Sequence, residues 1–214
     1  NAVPPGERAS FIPFTKMESA SFYNIEIKKT EQCHFCLGFY AYPRGDDRRF
    51  ALSLANIILG GNMSSRLFNE IRENRGLAYD IKSYIRSFYD TGTAIISAGL
   101  IPGNLIKTLT VIKDQPQLMI NNPVKEEELE RAKEYLISQF LMGLEDTMEY
   151  MLWIGEQLAT KEKMLSIDEV QSRIRAVTPK DIQNVCRDIF QNKAYFAMIG
   201  PEDKHDEISK ILEE

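Results

Sequence analysis

Read for its alternation of apolar and polar positions, the chain divides into strand-like and helix-like stretches in mixed order. Residues 22–29 alternate as a half-exposed strand, and the apolar run from Gln32 to Tyr42 reads as a buried strand expected to pair with it. Pro43-Arg44-Gly45-Asp46 closes the second strand. Phe50, Leu52, Leu54, Ala55, Ile57, Ile58 and Leu59 then suit a helix buried over much of its circumference, stopped by Gly60-Gly61. Ser64 is a suitable cap for a second helix, from Ser65 to about Arg72, with Leu67, Phe68 and Ile71 on its apolar face. Two strands follow, near 79–87 and 93–100, with Tyr89-Asp90-Thr91-Gly92 as the hairpin turn between them.

The remainder is mainly helical. Pro102-Gly103-Asn104 opens a helix towards Met119, and Lys125-Glu126-Glu127-Glu128 starts a long one, acidic where the helix dipole favours negative charge. Further helices fit 146–160, 167–176 and 178–190, the last introduced by Thr178-Pro179. Residues 194–199 return to strand, and 202–212 read as a terminal helix. This order predicts an α+β fold, a largely antiparallel sheet with helices packed on one face. Residues 1–20, with Pro4, Pro5, Gly6 and Pro13 and little periodicity, read as an extended lead-in segment or linker, and 21–214 as the folded domain.

Composition narrows the function classes. The chain has 214 residues, 43% hydrophobic and 27% charged, which is ordinary globular usage and enough to bury a core. Its net charge of -5, without a long basic stripe, argues against nucleic acid or an anionic membrane as a main partner. No apolar run approaches the roughly 20 residues needed to span a bilayer. With no initiator methionine, the chain is expected to be a piece of something longer.

Cys33 and Cys36 form a C-x-x-C around His34, a spacing found in redox pairs and half zinc sites. In a strand, however, residues three apart face opposite sides of the sheet, so the two thiols cannot share a metal. They read instead as small hydrophobes of a buried strand. Three cysteines without a disulfide framework favour a reducing cytosol.

The stretch Leu59-Gly60-Gly61-Asn62-Met63-Ser64-Ser65-Arg66-Leu67-Phe68-Asn69-Glu70-Ile71-Arg72-Glu73-Asn74-Arg75-Gly76-Leu77-Ala78-Tyr79 resembles the LGGG-x-SSRLF-x-x-I-R-E-x-x-G-L-A-Y block of the pitrilysin and mitochondrial processing peptidase family of zinc metallopeptidases, the inverzincins. Agreement extends to Tyr89-Asp90-Thr91-Gly92 and to Thr178-Pro179-Lys180-Asp181-Ile182, so it covers most of the chain after the lead-in segment. The resemblance implies a fold of paired homologous α/β domains that close around a peptide, one half holding zinc through H-x-x-E-H. The two histidines here, His34 and His205, neither begin nor end such a motif. No metal or other cofactor is therefore expected in this chain, and zinc is expected in its partner.

The block resembles the non-catalytic half, which supplies an Arg and, seven residues on, a Tyr to the substrate at the zinc site. By that resemblance Arg72 would hold a peptide carbonyl and Tyr79 would donate a hydrogen bond to the scissile carbonyl as negative charge develops on it. Arg75 is a neighbouring rival to Arg72, and Gly60, Gly61 and Asn62 form a close-approach loop as well as a helix stop. The expected function is a substrate-clasping half, inactive alone, whose partners are a zinc-bearing domain or subunit and a peptide. A catalytically dead structural subunit is the alternative, against which Arg72 and Tyr79 lean.

Overall fold

The computed structural model describes residues 12–16, 22–160 and 164–213. Residues 1–11 and 17–20 of the expected lead-in segment lie outside the described residues. The strands are β1 (Phe22–Ile27), β2 (Cys33–Ala41), β3 (Asp80–Ser87), β4 (Gly92–Leu100) and β5 (Tyr195–Gly200). The helices are α1 (Arg49–Asn56), α2 (Leu105–Asn121), α3 (Glu126–Leu144), α4 (Thr147–Ala159), α5 (Ile167–Ala176), α6 (Pro179–Phe190) and α7 (His205–Glu213). Two π-helical segments, Ile57–Gly61 and Phe68–Asn74, lie between α1 and β3.

The five strands form one sheet in the order β1-β5-β2-β4-β3, antiparallel except where β1 runs parallel to β5. The expected pairing of β1 with β2 is therefore corrected: β5 lies between them. Phe22 sits beside Tyr195 and Ile27 beside Gly200, while the other side of β5 pairs with β2 from His34–Ile199 to Gly38–Tyr195. Local apolar patterns identify strands but carry no record of which distant strand fills the slot beside them.

One-sided burial follows from the period of two. Cys33, Phe35, Leu37 and Phe39 of β2, with Ala94, Ile96, Ala98 and Leu100 of β4, face the helices and are buried. Phe196 of β5 meets Phe35 at 5.5 Å between ring centroids, and Phe39 meets Phe190 of α6 edge-on at 5.1 Å. Leu54, Leu105, Ile112, Met119, Ile182 and Cys186 complete the core from the helical side. The other face stays open. His34 and Cys36 are exposed there, and Tyr40 stands edge-on to Tyr195 at 5.1 Å. Phe14 crosses to this face, its ring 5.3 Å from that of Tyr40 and its backbone N–H donating to Asp90 Oδ2 at 2.6 Å.

Helix starts follow the local chemistry. Thr178 and Asp181 form a reciprocal capping box at α6, with Pro179 at the first helical position, and Ser166 and Glu169 do the same for α5. The expected cap at Ser64 is corrected, because the side chain that accepts there is Asn62, whose Oδ1 takes the Ser64 N–H at 2.8 Å. The helix begins at Arg66 and widens to π from Phe68. Among the described residues no helix is long and apolar enough to cross a membrane.

The glycine stop is a packing contact. A Cβ on Gly60 would lie 2.7 Å from Ser83 Oγ and 2.9 Å from the Ser83 backbone nitrogen, so a side chain would drive the helix off β3. Ser83 is itself fixed, its hydroxyl donating to the Asn56 carbonyl at 3.2 Å. Gly60→Ala is expected to lower stability by about 1 to 3 kcal/mol through overpacking. The check is a urea titration, which should show a lower midpoint with an unchanged slope.

Candidate functional site

The π-helical segment Phe68–Asn74 is held from beneath by Leu67 and Ile71, both fully buried. Its exit is sharply turned. Gly76 takes a left-handed φ of 58°, a conformation that suits glycine, and the Leu77 N–H returns to the Ile71 carbonyl at 2.8 Å. Asn104 at the start of α2 donates its Nδ2 to the Leu77 carbonyl at 3.2 Å. Ala78 is buried, and the Tyr79 N–H joins the Gly99 carbonyl of β4 at 3.1 Å. Tyr79 is thereby fixed by its backbone at the head of β3.

This path brings the two predicted residues together. The Arg72 guanidinium lies 4.9 Å from the Phe68 ring centroid and 5.4 Å from that of Tyr79. Such contacts contribute about 0.5 to 1 kcal/mol each at exposed sites, enough to bias side-chain positions without burying them. Tyr79 stays 77% exposed, and among the described residues no group bonds to its hydroxyl. The contact from Arg72 to Glu73, at 3.9 Å, is exposed and weak. The result is a planar cation and a free phenol side by side, able to donate to carbonyl or carboxylate oxygens of an incoming chain.

Arg75 does not join them. Its guanidinium pairs with Glu70 at 3.3 Å, which also accepts from Asn74. Gly60 and Gly61 are occupied internally: Gly60 faces Ser83, and a Cβ on Gly61 would meet the Asn56 carbonyl and Nδ2 at 3.1 Å. Asn62 organises the turn into the next helix, accepting from the Ser64 and Ser65 N–H groups.

Two contributions were not anticipated from the sequence. Arg66 makes a two-pronged pair with Glu128 of α3, at 2.9 and 2.6 Å, the two side chains only 24% and 25% exposed. It ties the segment carrying Arg72 to the long helix, and no local signal links residues so far apart in the chain. His34 lies on the open face with its ring against Gly99, where a Cβ would meet Cε1 and Nδ1 at 3.0 Å. It therefore packs over the same β4 residue that receives the Tyr79 N–H.

The described residues do not fit a metal. Cys33 is buried on the core face and Cys36 exposed on the other, and among the described residues no three His, Cys, Asp or Glu side chains cluster suitably. His205 packs edge-on to Tyr23 at 5.6 Å.

Residues 5–136 match the family described as the peptidase M16 inactive domain. The chain belongs to that family. An uncharacterized zinc protease of Streptomyces coelicolor is 38% identical over 174 residues, 81% of this chain and 38% of the relative. The uncharacterized zinc protease YmxG of Bacillus subtilis is 32% identical over 190 residues, 87% of this chain and 46% of the relative. A solved M16 inactive domain from Pseudomonas fluorescens superposes with a TM-score of 0.81 over 92% of this chain and 48% of that one, at 19% identity. The chain thus spans less than half the length of these curated relatives. The inactive-domain family and the zinc-protease relatives together imply a paired homologous domain or subunit.

The thiols offer a direct check on this M16 domain. Burial pushes the Cys33 thiol up to about 11 and the Cys186 thiol up to about 12, from an ordinary 9.0. One of the three cysteines, exposed Cys36, should react quickly with a thiol reagent in the native protein, and all three after unfolding. The shifts also set a pH trend. Above about 9 the unfolded chain releases thiol protons that the folded chain retains, so stability should fall as pH rises towards 11, as read by urea titrations across that range.

Proposed function

We propose that this chain is the substrate-clasping half of a two-part zinc metallopeptidase, closing over an extended peptide bound in a zinc-bearing homologous domain or subunit. The observation that supports it is the Arg72–Tyr79 pair, a cation against the ring of an unengaged phenol, held by a turned backbone at an exposed corner of the domain. Tyr79 donates to the scissile carbonyl oxygen as it gains negative charge, and Arg72 holds a neighbouring peptide carbonyl. Donors of this kind act mainly in the transition state, because the bond strengthens as charge accumulates. They need a closed, poorly hydrated cleft, which only the opposite half can complete.

On this reading the activation of water belongs to the zinc-bearing half, so activity resides in the assembly. Mixing this chain with the zinc-bearing half should restore peptide cleavage above the level of either alone. In the complete enzyme, Tyr79→Phe should lower kcat by a factor of about 100 to 1,000, with a smaller change in KM. An unchanged kcat in a folded variant removes Tyr79 from the chemistry and supports the structural-subunit alternative.

A further inference from the structure

Helix α4 is apolar on more sides than this chain covers. Its inner edge packs on α3 through Trp153, which meets Phe140 edge-on at 5.6 Å and stacks with Tyr150 at 6.0 Å. A second stripe, Met148, Met151, Leu152, Gly155 and Leu158, repeats at helical spacing on the other side. Its large side chains are 64%, 60%, 52% and 59% exposed in that order, and none of the described α4 residues is buried. The only charged residues of α4 are Glu149 and Glu156, and Glu156 is taken up by Arg44 at 2.6 Å. A helix apolar on opposite sides belongs in an interior, and a contiguous exposed patch of this type marks an interface.

Gly155 points the same way independently. Mid-helix glycine is less stable than alanine, and a close approach by another group is one physical reason to keep it. Here a Cβ would meet nothing within 4 Å, so the chain itself supplies none. A small residue flanked by Met151, Leu152 and Leu158 suits the close crossing of another helix, with the flexible Met151 thioether filling the gap beside it.

We infer that the Met148–Leu158 stripe of α4 seats an apolar helix of the zinc-bearing half, which crosses the backbone at Gly155. This rests on the reading above that such a half exists. The matched relatives extend well beyond the share aligned here, 38% and 46% of their lengths, so more than half of each lies outside the aligned region. A path of packed elements runs from this seat to the site along α3, whose Phe140 end meets α4 and whose Glu128 end lies about 18 Å away. α4 packs on α3, and α3 carries the Glu128 that grips Arg66 beside the segment of Arg72. A helix docked on α4 would therefore set where Arg72 and Tyr79 stand relative to the other half.

Oxidation of methionines by hydrogen peroxide, read by mass spectrometry, tests this in the full-length protein containing both halves. Met148 and Met151 should oxidise about ten-fold more slowly than the same residues in urea. Equal rates overturn the proposal. Protection that disappears on dilution of the full-length protein also overturns it, since the cover is then a second copy. Gly155→Leu should abolish most of that protection while leaving the melting temperature of this chain alone undiminished; a lowered melting temperature would show that the space at Gly155 is already filled from within. Tyr79→Phe should lower turnover with the protection intact, so failure of the docking surface and failure of the catalytic reading give different results.

Discussion

The rest of the molecule depends on the sheet being covered on one face only. Its central strands, β2 and β4, send alternate side chains into the helices, and the long ladder between them from Cys33–Leu100 to Ala41–Gly92 holds that alternation in register. A slip of one residue would turn Phe35, Leu37, Ile96 and Ala98 out to water and bring His34, Cys36 and Ser97 inward. Because the register is fixed, Gly99 stands at a defined height, and its carbonyl receives the Tyr79 N–H. The position of a candidate catalytic donor is thus inherited from the packing of a core that it does not touch.

The supports around Arg72 and Tyr79 come in layers of differing stiffness. Beneath them are Leu67 and Ile71, and beside them the Gly76 turn and the Asn104–Leu77 bond. Arg66–Glu128 braces the segment against α3. The guanidinium and phenol themselves are held by ring contacts and, for Arg72, a weak exposed contact with Glu73, and they remain in solvent. Backbone positions are fixed while side chains keep room to adjust, as the proposed clasping role requires.

The sequence was most informative where the physics is local. Ser166 with Glu169, and Thr178 with Asp181, state their helix starts within four residues, and the alternation in β2 states its buried face. Arg72 and Tyr79 could be paired on motif spacing, but that Glu70 engages Arg75 while Arg72 lies against the Tyr79 ring needed the fold. The widening at Ile57–Gly61 was not legible, since an all-apolar stretch satisfies an α or a π ladder equally well. Nor were Arg66–Glu128 and the insertion of β5, which join residues far apart along the chain. Non-local partners leave little trace in a single sequence.

The parallel pairing of β1 with β5 has a consequence for how the chain is made. Phe22 lies beside Tyr195, so one edge of the sheet waits until synthesis has passed β5. β2 and β4 can join earlier, but the slot beside β2 then presents unpaired backbone groups until β5 is synthesised. Closing so long a loop is entropically slow, and a nascent chain halted before Tyr195 would carry an open strand edge together with uncovered core residues. The strand of this sheet that emerges last is therefore the one that makes the growing chain safe from its neighbours.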